Sequence, residues 1–411
     1  MVGGTLMQHE EQVRVLKGLM DHLDRGTNVD VGYQVKNPTA SYTSPEIAAQ
    51  EWESFFQDYP HLLGLSGELP EPGSFFTSTD LGKPILCTRD MDGTFHAFLN
   101  VCRHRGVVVE TAERGRKKLF SCPFHAWTYS TTGDLVAVPK EDHFGAVDKS
   151  CHSLVALPAV ERHGLLWVSP NPEHSFDIDD LLGDLGDELG HWNMEACARH
   201  DATTYKHACN WKLANDTFGE TYHFETLHRD TLSPSFYGNV QMYDTYKRNH
   251  RMALCLRSID SMRGTPTDSW HILRGTAPVY YLFPNIQLVM TGGGPILVRI
   301  YPDAGDPSNS RSEITWYTFP EEVRRSFGIP EEQDEGRLSI TDRMEGFAAI
   351  IEAEDYVVAA SSQVGALSGA QDFVTFGRNE PALHHYHSTF RKALGQEPLE
   401  TLESPISSAA E

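Results

Sequence analysis

Apolar residues recur at helical spacing near the start of the chain. Within residues 8–23, Val13, Leu16, Leu19, Met20 and Leu23 share one face, which predicts an amphipathic entry helix. From about Phe75 to Val168 the texture shifts to short apolar runs cut by turns. "KPILCTRDMDGTFHAFLNV" reads as a hairpin around Asp92 and Gly93, and "TTGDL" and "RHGLLWV" continue the pattern. A small β domain is predicted there. Beyond Pro170 the longer period returns, with helices predicted around Asp216 to Leu227 and Asp342 to Ala360. Between them stand the strand candidates "PVYYLFPNIQLVM" and "PILVRIYP". The second domain is therefore predicted to be α+β, mixing helices with an antiparallel sheet. There is no fixed-period repeat, and the tail "TLESPISSAAE" is small and polar, as loose termini are.

Composition narrows the class. A chain of 411 residues suits two or three domains with a sizeable core. No apolar run reaches the length of a membrane span. The opening "MVGGTLMQHEEQ" has no basic region followed by an apolar stretch, which argues against a secretory signal. Seven irregularly spaced cysteines do not read as a disulfide framework, so a cytoplasmic home is expected. The formal charge of -23 disfavours nonspecific binding to nucleic acid or to anionic membranes.

The candidate chemistry lies in two places. In "CRHRGVVVETAERGRKKLFSCPFH", two arms, Cys102-Arg103-His104 and Cys122-Pro123-Phe124-His125, each carry one thiol and one imidazole. Such ligands hold zinc or iron–sulfur clusters. A zinc finger pairs Cys with Cys and His with His in its arms, whereas here each arm supplies one of each. Mixed arms suit a Rieske 2Fe-2S centre, in which one iron takes two Cys and the other two His, so each loop gives one ligand to each iron. Neutral imidazoles in place of thiolates raise the reduction potential. The second place is "NWKLANDTFGETYHFETLH". On a regular helix His223 and His228 would stand about 140° apart, so a bend or π-bulge is needed to bring both onto one metal. Oxygen-activating iron(II) is commonly held by two His and one carboxylate with open positions left over, so a third ligand is expected elsewhere in the chain.

With "CRHRG", "CPFHAWTY" and the turn glycine Gly133, the chain resembles the Rieske non-haem iron oxygenases, the catalytic α component of ring-hydroxylating and related oxygenases. Ala126 stands where members commonly have Gly. The motif around His223 and His228 and the stretch "AEDYVVAASSQVGAL" extend the resemblance over nearly the whole chain, and Asp355, with Gln363 and Gly365 downstream, matches the late helix that carries the family's carboxylate ligand. The resemblance implies a 2Fe-2S cluster on Cys102, His104, Cys122 and His125, and mononuclear iron on His223, His228 and Asp355. Glu220, three residues before His223, matches the acidic residue that bridges a ligand His to a cluster His of a neighbouring subunit. That residue is more often Asp, and Glu is similar to the subgroup acting on quaternary amines. Asp216 and Glu225 read as solvated or capping carboxylates, Glu352 and Glu354 as part of a charged helix face, and Thr217 replaces an Asn of many relatives.

The implied organisation is an N-terminal helical segment, 1–45, packing on the catalytic domain, a Rieske domain over 46–170, a mononuclear iron domain over 171–400 and a loose tail from 401. The implied activity is that of a terminal oxygenase. It hydroxylates an aromatic or other apolar substrate, with a monooxygenase or demethylase acting on an amine or methoxy compound as the alternative. In the family two electrons are needed per cycle, and a head-to-tail homotrimer, or a hexamer if a β subunit exists, is expected to bring each cluster beside a neighbour's iron. No Gly-rich dinucleotide loop follows a strand, "TGGGP" lacking the spacing, so electrons derived from NAD(P)H are expected through a separate reductase or ferredoxin. Arg103, Arg105, Arg114, Arg116, Lys117 and Lys118 offer either a docking patch for an acidic ferredoxin or a solvated basic turn. Tyr280, Tyr281, Phe283, Ile286, Leu288, Met290, Ile296 and Val298 read equally as pocket wall or as core. Two other classes compete: a pure Rieske electron carrier, which leaves the second domain unexplained, and a zinc-stabilised binding protein.

Overall fold

The computed structural model describes residues 7–326 and 340–402, so most of the tail from 401 lies outside the described residues. Contacts divide the chain into two units. One holds Glu53–Ile178 with Met194–Arg199, and the other holds the N-terminal residues up to Trp52, Asp179–Asn193 and the chain from His200 onward. Among the described residues no helix is long and apolar enough to cross a membrane.

The smaller unit is built of short antiparallel strands. A five-stranded sheet runs in the order Ala156–Leu157, Phe95–Leu99, Ile85–Arg89, Ser74–Ser78 and Arg114–Arg116, and two three-stranded sheets accompany it. The hairpin predicted at Asp92 and Gly93 is present, with Arg89 paired to Phe95. Gly93 takes a positive φ of 88°, and the Asp90 carboxylate accepts from the backbone of Asp92 and Thr94, an Asx turn closing the hairpin. Phe75, Leu86, Phe98 and Tyr129 form the core here, and Cys102 and Cys122 belong to the same buried cluster.

The larger unit centres on a seven-stranded sheet. Strands Phe236–Tyr246, Asn249–Leu256, Thr276–Leu282, Ile286–Met290, Pro295–Asp303 and Asp306–Thr318 follow one another as an antiparallel meander, and Ala198–His207 lies at the far edge. "TGGGP" is the turn between two of these strands; a side chain on Gly294 would run into the Tyr317 carbonyl. The entry helix His9–Arg25 buries Val15, Leu16, Leu19 and Met20 and ends at Gly26, whose φ of 62° closes it. Arg251, fully buried, ties that helix to the sheet through 2.6 Å bonds to Glu11, Glu188 and Asp244.

Two helix predictions change in detail. The late helix extends from Ile340 to Leu367 but contains a π-helical turn, Ile351–Asp355. Near Asp216 the helix covers only Trp211–Asp216, and the following residues are successive turns rather than a helix to Leu227. Gly219 packs so closely on Leu383 and Tyr386 that no Cβ fits. Beyond it the Glu220 carboxylate accepts the backbone N–H groups of Tyr222 and His223, taking donors that a continuing helix would need.

Candidate metal centres

The two Cys/His arms form matching loops. Cys102 N–H donates to the Val107 carbonyl at 2.8 Å and Gly106 N–H to the Cys102 carbonyl at 3.0 Å. In the second loop Cys122 N–H donates to Trp127 O at 2.8 Å and Ala126 N–H to Cys122 O at 2.9 Å. Gly106 and Ala126 thus hold equivalent corners, and both are left-handed, with φ of 75° and 56°. A residue with a Cβ at the second corner carries a cost of about 1–2 kcal/mol, which is why glycine suits it.

These loops put both thiols inside and both imidazoles at the rim. Cys102 and Cys122 are buried, whereas His125 is exposed. The His104 and His125 rings lie 4.6 Å apart, and His104 stacks on Trp127 at 4.8 Å. Tyr129 OH stands 3.3 Å from Cys102 Sγ and accepts from Arg103 N–H. Burial, with Cys102 alongside, pushes the Cys122 thiol up, and burial with His125 and Arg105 beside it pushes His104 down. His104 Nδ1 is buried without a hydrogen-bond partner, so a metal is a fitting occupant for it.

In the larger unit, His223, His228 and Asp355 offer ligand atoms within 4.8 Å of one another. His223 Nε2 and His228 Nε2 face Asp355 Oδ1 at 3.5 and 3.3 Å, and neither nitrogen has a hydrogen-bond partner. Their other nitrogens are engaged: His223 Nδ1 with Glu220, and His228 Nδ1 with Glu354 at 2.6 Å. A carboxylate behind each ring fixes the tautomer that leaves the Nε2 lone pair free for a metal. Turns at 223–233 supply the bend that brings the two rings together, and Asp355 ends the π-helical turn. Burial pulls His223 down, but Asp355 and Glu220 outweigh it and hold its pKa up at about 9. Burial likewise opposes ionised Asp355, yet His223 and His228 keep its carboxyl below the ordinary range. Two His, one carboxylate and nothing soft fit an oxygen-activating iron.

The triad opens on a cavity lined mostly by apolar side chains. Phe218, Phe224, Leu232 and Phe236 come from the loop side, Phe347 and Ile351 from the late helix. The sheet supplies Met252, Leu254, Val279 and Val289, and register puts Met252, Val279 and Val289 opposite one another in one row. None of the strand candidates read from the sequence, Tyr280, Tyr281, Phe283, Ile286, Leu288, Met290, Ile296 and Val298, lines it; those are core. Central strands apolar on both faces carry no alternation by which to tell wall from core. Among the described residues the lining contains no Lys or Arg, and its polar members are Thr217, Glu220 and the triad.

Other expectations resolve as follows. Asp216 is neither solvated nor a cap: its carboxylate accepts from Tyr42 OH at 2.7 Å and pairs with His387 Nε2 at 2.9 Å. Glu225 is exposed. Arg114, Arg116 and Lys117 pair with Glu68, Glu71 and Glu110, leaving Arg103, Arg105 and Lys118 without carboxylate partners among the described residues.

Comparison with known proteins matches 60–157 to the Rieske [2Fe-2S] domain and 194–396 to the ring hydroxylating alpha subunit catalytic domain. The chain is 29% identical to the carnitine monooxygenase oxygenase subunit of Acinetobacter baumannii, over 54% of this chain and 59% of that one. It is 31% identical to the glycine betaine monooxygenase oxygenase subunit of Chromohalobacter salexigens, over 48% and 44%. With the anthranilate 1,2-dioxygenase large subunit of Acinetobacter baylyi it shares 30% identity over 47% and 42%. The aligned part thus spans about half the length of these curated relatives. Among solved structures, a quaternary ammonium Rieske monooxygenase in complex with L-carnitine superposes with a TM-score of 0.71 at 20% identity, covering 90% of this chain and 97% of that one. Naphthalene 1,2-dioxygenase with bound indole gives 0.65 at 17%, covering 89% and 93%.

Proposed function

The chain belongs to the Rieske oxygenase α subunits, with a Rieske [2Fe-2S] domain ahead of a ring-hydroxylating catalytic domain, and from that premise we propose that it is a terminal oxygenase for an aromatic or other apolar substrate. The observation that carries this reading is the triad of His223, His228 and Asp355, with both Nε2 atoms unpartnered, at an apolar cavity. In this reading Cys102 and Cys122 hold one iron of the cluster, His104 and His125 the other, and the triad holds ferrous iron. When bound, the cluster supplies single electrons and the iron activates dioxygen. The apolar walls exclude water and orient the substrate by shape, since among the described residues of the lining there is no cation to grip a carboxylate. Glu220 orients His223 and carries the link toward a cluster histidine of a neighbouring copy.

The assembly proposed is a homotrimer closed head to tail. It is supported by the exposed Val357, Val364 and Leu367 on the helix after Asp355, and by the exposed Phe124 and Phe144 near the cluster loops. Electrons come from a reductase or ferredoxin, for which Arg103, Arg105 and Lys118 provide positive charge at the cluster rim. The domain limits of this reading are 46–170 and 171–400, with 1–45 on the latter. Seven cysteines, none of them in a disulfide, accord with a cytoplasmic setting.

A second reading, oxidation of a quaternary amine, is favoured by Glu220 beside Phe218 and Phe224 in the cavity, groups suited to a cation, and by the likeness to carnitine and betaine monooxygenases. A reductase-coupled assay of oxygen uptake and product formation decides between the two. Turnover of neutral aromatics with none of carnitine or glycine betaine supports the first reading, and the reverse pattern overturns it.

A further inference from the structure

Glu354 and Asp355 are neighbours in sequence, yet they address opposite ends of one imidazole. Asp355 Oδ1 lies 3.3 Å from His228 Nε2, while Glu354 Oε2 lies 2.6 Å from His228 Nδ1. Successive residues on a regular helix point about 100° apart, and the π-helical turn Ile351–Asp355 is where this pair stands. Glu354 is itself held. Thr231 Oγ1 donates to the same Oε2 at 2.9 Å, and Thr231 is fixed by its backbone bond to the His228 carbonyl. The His228 side chain is fully buried, so no water competes for its Nδ1 proton. His223 has the matching arrangement, with Glu220 on Nδ1 and Asp355 facing Nε2, but Glu220 sits only three residues away. Glu354 reaches His228 from 126 positions along the chain, joining the late helix to the histidine loop.

We propose that Glu354 is a positioning residue for the mononuclear metal site, holding His228 in its Nδ1–H tautomer and raising its donor strength, with Thr231 steadying Glu354. The proposal rests on His223, His228 and Asp355 binding ferrous iron. Loss of a carboxylate of this kind lowers metal affinity by about 10–100-fold. Glu354→Gln keeps an oxygen able to accept the Nδ1 proton but removes the charge, so its loss is the smaller one. Thr231→Val leaves the carboxylate free to turn and weakens binding least.

The test is ferrous iron affinity by chelator competition on the full-length protein, together with the electron paramagnetic resonance signal of the nitric oxide adduct. The cluster's visible spectrum serves as the internal control of folding. Glu354→Ala, Glu354→Gln, Thr231→Val and, as an exposed neighbour, Glu352→Gln are compared with Asp355→Ala and the parent. The expected result is a graded loss, about 10–100-fold for Glu354→Ala, less for Glu354→Gln, and none for Glu352→Gln, with a changed nitrosyl signal and an unaltered cluster. Should Glu354→Ala fail to fold, Glu354→Gln alone decides. Parent-like affinity and nitrosyl signal in the Glu354 variants, while Asp355→Ala loses iron, overturn the role of Glu354 but leave the triad standing. Parent-like iron binding in Asp355→Ala overturns the triad and the proposal with it.

Discussion

Lys212 and Glu51 form a buried ion pair, and breaking it by Lys212→Met has a calculable cost. Their side chains are 1% and 3% exposed, and Lys212 Nζ lies 2.6 Å from both Glu51 oxygens. The remaining donor to Glu51 is the Trp211 indole at 3.0 Å. Lys212→Met therefore strands a buried carboxylate on one neutral donor, which costs about 3–5 kcal/mol. Replacing both partners, Glu51→Leu with Lys212→Met, removes both desolvated charges and leaves only the indole N–H unsatisfied, about 1–3 kcal/mol. The double variant is thus expected to be more stable than the single one. Because helix Trp211–Asp216 leads directly into the turns bearing His223, loss of mononuclear iron on warming should follow the same order. Urea unfolding of the catalytic unit, read by near-ultraviolet circular dichroism, measures the difference. A single variant losing less than about 1 kcal/mol, or a double variant no better than the single, would mean that the buried carboxylate is not stranded.

Other outcomes are equally specific. Asp355→Ala should abolish oxygenation and empty the mononuclear site while leaving the cluster spectrum intact; retained turnover would place the third ligand elsewhere. Iron affinity should rise as pH increases toward about 9, because His223 must shed the proton that Asp355 and Glu220 hold on it. The same raised pKa stabilises the metal-free protein fully below about 6.5 and is lost as pH climbs through about 9, so its melting temperature should fall over that window. Affinity independent of pH contradicts both. Ala126→Gly relieves about 1–2 kcal/mol of left-handed strain against about 0.5–1 kcal/mol of added chain entropy, so the urea midpoint for bleaching of the cluster should hold or rise; a clear fall would count against the loop correspondence. Val289→Phe should fill the cavity beside Val279, cutting turnover of two-ring substrates more than of one-ring substrates with iron content unchanged.

Local signals account for what the sequence made legible. The Cys/His arms, the Asp92 hairpin and the entry helix are written in short-range spacing, and the structure brings His223 and His228 together with Asp355, the carboxylate that the family resemblance implied. What remained hidden depends on tertiary context. Side-chain capping by Glu220 and the close packing at Gly219 replaced a helix that periodicity favoured. Asp216 looked like a surface carboxylate because Tyr42 and His387, its partners, lie far away in the chain. Glu354 read as part of a charged face because its partner, His228, lies 126 residues away in the chain. The cavity wall was lost to parity: Val279 and Val289 sit among neighbours just as buried and apolar, Tyr280, Leu288 and Met290.

Oxygenation itself is tested most directly by a single turnover with isotopically labelled dioxygen. Chemically reduced, iron-replete protein is mixed with the label and a panel of aromatic, steroid-like and amine compounds, and the products are read by mass spectrometry. The predicted result is labelled oxygen in an organic product of the parent protein and none in Asp355→Ala. Oxidation of the cluster with no label in any organic product would contradict it and leave the protein an electron carrier.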